Sequence, residues 1–105
     1  MGTDTVEWEL GFAGEEVVRG VENLCLLADY RFRRERSADE GRFHIPIGGG
    51  GGCVVLEVCP LAPRSLSAAI SFPRTRLRIR FHDAEGEART AFMRRLTLAF
   101  LRVGG

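Results

Sequence analysis

Four arginines at strict two-residue spacing carry the most pointed chemistry in this chain. Arg74, Arg76, Arg78 and Arg80 alternate with Thr75, Leu77, Ile79 and Phe81. A period of two belongs to a β-strand, so the stretch predicts one apolar face and one guanidinium face. Guanidinium groups recognise carboxylates and phosphates as planar, two-pronged donors. Arg31 and Arg33, with Arg34 beside them, are expected to join that face from a neighbouring hairpin. Three fates suit such a face. It can be neutralised by cross-strand pairing with Glu7 and Glu9, it can meet an acidic protein partner, or it can meet nucleic acid. Nucleic-acid recognition on a sheet combines charge with exposed aromatic rings. Tyr30 and Phe32, the nearest aromatics, are expected to face the core, so nucleic acid is the lesser alternative.

The remaining reactive residues make a weaker case. His44, His82, Cys53 and Cys59 are the metal-ligating types, but Cys53 and Cys59 lie six residues apart on one strand, roughly 20 Å, too far to share an ion. No metal and no cofactor are expected. Asp83 follows His82 directly, which reads as a turn and a helix cap rather than an acid–base dyad. G-x-S-x-G, H-E-x-x-H and P-loop motifs are all missing, so no catalytic residues are assigned. Gly48 to Gly52 are five consecutive glycines followed by a strand, where a phosphate cradle would need a helix N-terminus. A flexible loop is expected there. The three cysteines, Cys25, Cys53 and Cys59, form no C-x-x-C pair and sit in apolar runs, as thiols in a reducing cytoplasm do.

The elements that must position these residues follow from periodicity. Thr5 to Phe12 alternates, with Val6, Trp8, Leu10 and Phe12 opposite Glu7 and Glu9, and reads as a half-buried strand. Glu15 and Glu16 suit the start of a helix whose apolar stripe is Val17, Val21, Leu24, Cys25 and Ala28. It should end near Asp29 without a glycine cap, and Gly20 weakens it. A hairpin is expected next: a strand over 30–36, a turn at 37–41 and a return strand over 42–47. An extension of the helix through Arg36 competes with it. Cys53 to Cys59 is a β-branched strand, apolar on both faces, broken by Pro60 and Pro63. A loop with a short strand near 68–72 then leads into the arginine strand. The last helix is expected to be capped by Asp83 and to bury Ala88, Ala91, Phe92, Leu96, Ala99 and Phe100. The terminal Gly104-Gly105 resembles the tail of ubiquitin-like carrier proteins, which are activated at a terminal glycine pair. The element order departs from their hairpin-first pattern.

The whole chain of 105 residues suits one domain, residues 1–105. Its net charge of +1 conceals a split between an acidic start (−6 over residues 1–29) and a basic middle (+6 over residues 30–80). All fifteen basic residues are arginine. No apolar run approaches a membrane span, and Met1 to Glu7 is too polar for a signal peptide. The fold class expected is α+β: a single antiparallel sheet of about five strands, with two helices packed on one face, in the order β-α-β-β-β-β-α. The other face would stay open. The function expected is a non-enzymatic binding or adaptor protein. It would engage an acidic or mixed protein partner through Arg31, Arg33, Arg74, Arg76, Arg78 and Arg80. Cys53, Val55 and Cys59 on the open face add the expectation of a homodimer.

Overall fold

A computed structural model of the chain describes residues 3–35 and 40–104. In chain order the elements are β1 (Thr3–Leu10), α1 (Gly14–Leu27), β2 (Arg33–Glu35), β3 (Gly41–Pro46), β4 (Cys53–Ser65), β5 (Ser71–His82) and α2 (Gly86–Gly104). The five strands form one antiparallel sheet in the order β1-β5-β4-β3-β2. The arginine strand β5 and its neighbour β4 are therefore central. Both helices lie on the face carrying Val54, Leu56, Val58, Leu77, Ile79 and Phe81, all buried. Val17, Val21, Leu24 and Cys25 of α1, with Phe92, Leu96 and Phe100 of α2, close the core from above. Val6, Trp8 and Leu10 pack against its margin and stay partly exposed, because β1 is the edge of the sheet. The α+β architecture and element order are those the periodicity predicts.

Several boundaries differ, each for a local reason. Helix α1 stops at Leu27 because Asp29 adopts the left-handed conformation (φ 60°) that glycine usually supplies. The Tyr30 N–H then donates back to the Cys25 carbonyl at 2.8 Å, which closes the helix end. The expected strand from Tyr30 shrinks to Arg33–Glu35, since Tyr30 stacks on Phe92 and Phe32 on Phe43 instead of entering the ladder. The turn placed at 37–41 and Arg36 lie largely outside the described residues. Asp83 does not cap α2: the helix begins at Gly86, and Asp83 is itself left-handed (φ 52°) where the chain leaves β5. The ring of Phe100 packs onto Gly20, where a Cβ would approach Cε1 to 2.9 Å. The glycine that weakens α1 thus lets α2 come close. Helix α2 runs on through Gly104, and Gly105 lies outside the described residues.

The largest departure concerns β4. It does not break at Pro60 and Pro63 but continues to Ser65, with one register shift between Leu61 and Arg64. Strand β3 pairs only as far as Val58, so beyond that point one side of β4 faces solvent. A proline there leaves no ladder bond unmade. The outer parts of β4 and β5 thus form a two-stranded arm that leaves the sheet. Its turn is closed by the Leu66 N–H donating to the Ile70 carbonyl and the Ile70 N–H to that of Ser67. The molecule measures 51 × 25 × 23 Å.

Candidate binding face

The open face is built by register. Across the middle of the sheet, Glu35 stands opposite Arg42, Arg42 opposite Glu57, Glu57 opposite Arg78 and Arg78 opposite Glu7. Five strands therefore contribute a row of alternating charge. Such cross-strand pairs lie about 5 Å apart and attract one another. The parallel row on one side is Arg33, His44, Val55, Arg80 and Thr5. On the other side Cys59 stands opposite Arg76, and Arg76 opposite Glu9.

Glu57 is the hub. Its carboxylate accepts from Arg80 at 2.7 Å and from Arg42 at 2.8 Å, with Arg78 at 3.6 Å. Its side chain is only 20% exposed. That burial pushes its pKa up, but the hydrogen bonds and charges of Arg80 and Arg42 outweigh it and hold the carboxyl below its ordinary value. Arg78 also donates to Glu7 at 2.8 Å, and Arg74 to Glu9 at 3.3 Å. Arg74 is anchored further by donating to the Ala62 carbonyl at 2.9 Å. His44 Nε2 lies 3.3 Å from Glu35. Much of the arginine face is thus neutralised inside the fold.

Arg76 is different. It is exposed and has no ion pair or hydrogen bond among the described residues. It lines a recess of about 250 Å³ with Arg42, Arg78, Glu40, Glu57, Val58 and Cys59. A guanidinium with free donors, in a recess whose other guanidinium groups are already held by Glu57 and Glu7, is equipped to take a carboxylate.

Arg74, Arg76, Arg78 and Arg80 all stand on or beside this face, as their spacing predicts. Arg33 shares the face but sits three strands from β5, and Arg31 precedes β2 in the connecting segment. Neither is gathered against the arginine strand. Arg34 belongs to the other face, where it pairs with Glu22 of α1 at 3.1 Å and lies over the Phe43 ring. Sequence reasoning missed Arg42 and the hub role of Glu57, because neither shows a pattern until β3, β4 and β5 are in register. Of the three residues behind the expectation of a homodimer through this face, Val55 is only 8% exposed, Cys53 is half-buried and Cys59 is exposed.

Cys53 and His82 are direct cross-strand partners, while Cys59 lies at the far end of the same row of β4. No group of three or more metal-ligating side chains occurs among the described residues. Cys25 is buried, and its burial, with Glu22 nearby, pushes its thiol up to about 11. No described helix is long and apolar enough to cross a membrane. Comparison with protein-family models, with curated proteins and with solved structures gives no match.

Proposed function

We propose that this is a non-enzymatic binding or adaptor protein whose open sheet face receives a protein segment of mixed charge. An acidic side chain of that segment would be seated at Arg76. The observation that carries this is the contrast between Arg76 and its neighbours: Arg42, Arg74, Arg78 and Arg80 are held by carboxylates of the chain itself, and Arg76 is not. A surface ruled in alternating charge suits a partner with a complementary alternation. Such matching confers register and specificity more than raw affinity. Nucleic acid is less well served, since phosphates would compete with Glu7, Glu9, Glu35 and Glu57 and the described rings near the face stack inward. The three unpaired thiols support a reducing compartment such as the cytoplasm.

The test is a fluorescence titration with short peptides alternating glutamate with serine or with arginine, and with a single-stranded oligothymidylate. The proposal expects a glutamate-bearing peptide to bind at low salt, and Arg76→Ala to weaken it about tenfold. Absence of peptide binding at low salt overturns it. So does tighter binding of the oligonucleotide with a steep salt slope, which would assign the face to nucleic acid.

A further inference from the structure

The exposed large apolar side chains of the described chain are not scattered. They are Leu26, Leu27, Leu66, Ile70, Phe72, Leu98 and Leu101. All but Leu26 fall in two places. Leu66, Ile70 and Phe72 stand at the outer end of the β4–β5 arm. Leu27, Leu98 and Leu101 line a groove of about 1000 Å³ between α1 and α2, with Phe12, Leu24 and Phe100. Their exposure runs from 49% at Phe72 to 85% at Leu27. Grouped exposure of this kind marks a contact surface. One place is a projection and the other a hollow.

The two are matched in apolar character as well as in shape. The arm carries no charged residue between Arg64 and Arg74. Arg64 is exposed and has no partner among the described residues. The groove is lined by α1 and α2 alike, and its rim carries two carboxylates, Glu16 and Asp29, and two guanidinium groups, Arg19 and Arg95, so its charge is balanced. Arg95 is already engaged, donating to the Tyr30 hydroxyl at 2.6 Å. An incoming apolar tip therefore meets an apolar floor whose charged rim is neutral in sum.

The arm and the groove also lie at the same end of the sheet. At the arm's root the Thr75 hydroxyl donates to the Phe12 carbonyl at 2.7 Å, and Phe12 stacks on Phe100 with ring centroids 6.0 Å apart. From Leu61 to the tip the arm reaches roughly 16 Å. Its proline-bearing strands (Pro60, Pro63, Pro73) hold it extended without a third strand. When a projection and its hollow are neighbours on one molecule, a two-fold axis that brings one arm to the other's groove also returns the second arm.

We propose that the groove is filled by a second copy of this chain. Two copies exchange their β4–β5 arms, and Leu66, Ile70 and Phe72 of each lie between α1 and α2 of the other. The contact is on the helical side and at the arm, so it leaves the open sheet face free and does not depend on the function proposed for it.

Sedimentation analysis tests it with two variants, each changing exposed side chains only. Ile70→Glu with Phe72→Glu disables the arm, and Leu27→Glu with Leu98→Glu disables the groove. Wild type is expected to be a dimer at micromolar concentration, and each variant alone a monomer with unchanged circular dichroism. An equimolar mixture of the two variants restores one intact arm-in-groove contact. It is expected to yield a heterodimer about a hundredfold weaker than wild type. A monomeric wild type overturns the proposal, as do a dimer that survives the arm changes, variants that fail to complement, and open-ended polymers in place of a closed pair.

Discussion

At the scale of single residues, Glu57 decides how the open face is held. It is the carboxylate nearest three guanidinium groups and is the least exposed of the ion-pairing acids on the face. Surface ion pairs taken singly contribute little, with a median near 0–1 kcal/mol. Glu57 differs because its loss leaves Arg42 and Arg80 together with no shared counter-charge. Glu57→Gln is therefore expected to destabilise the fold by about 1–2 kcal/mol in urea denaturation at neutral pH. The sign with pH follows from the lowered carboxyl. A depressed folded pKa gives stability that is complete above the ordinary carboxylate value, about 4.3, and is lost as pH falls through the folded value. The glutamine variant lacks that step. Its stability should fall less than that of wild type between about pH 5 and pH 3. Equal slopes for the two proteins would mean that Glu57 is not the group whose protonation loosens the sheet.

At the scale of elements, the five glycines joining β3 to β4 show how differently one residue type is used. The connection is closed by the Ile47 N–H donating to the Gly52 carbonyl at 3.1 Å. Gly48 and Gly51 have φ of 72° and 83°, a region other residues enter at a cost. At Gly52 a Cβ would fall 2.4 Å from the Asp83 carbonyl oxygen, whereas at Gly49 and Gly50 it would meet nothing. Gly52→Ala should cost about 2 kcal/mol or more, because the obstacle is backbone. Gly49→Ala should be neutral or slightly stabilising, by reducing the freedom of the unfolded chain. Thermal unfolding of the two variants separates these outcomes. Similar contrasts govern what could be read in the sequence. The faces of β1 and β5 were legible because strict alternation admits only one arrangement. The charge row through Glu35, Arg42, Glu57, Arg78 and Glu7 was not, because it depends on the register of five strands. The arm stayed hidden for another reason. Pro60 and Pro63 end a central strand but are harmless in an edge, and β4 turns from one into the other partway along its length. The end of α1 near Asp29 is legible in the sequence, but the left-handed conformations of Asp29 and Asp83, and with the latter the loss of the expected α2 cap, are not, because a left-handed aspartate leaves no trace in composition.

At the scale of the whole molecule, the buried core and the exposed apolar arm occupy separate parts. The core is drawn from the helices, from the sheet as far as Val58 and Leu77, and from Ile47 and Ala84 beside it, and none of its members lies between Ala62 and Pro73. Apart from the bond Arg74 makes to Ala62, the hydrogen bonds that hold the arm's turn are internal to it. Its outer side chains are apolar yet exposed, so the folded monomer gains little from them. An exposed apolar projection that adds nothing to the core fits the arm-in-groove contact proposed above. Replacing residues 62–73 by a two-residue Asn-Gly turn should therefore leave the fold intact. Such a turn joins antiparallel strands with the twist the sheet already has. The melting temperature is expected to stay within about 4 °C of wild type, the shift that roughly 1 kcal/mol produces in a chain of this size. Self-association should disappear while binding of glutamate-bearing peptides to the open face persists. The two activities would then belong to opposite sides of one scaffold. A shortened chain that unfolds would instead make the arm part of the folding unit, and one that still pairs would move the contact between copies away from residues 62–73.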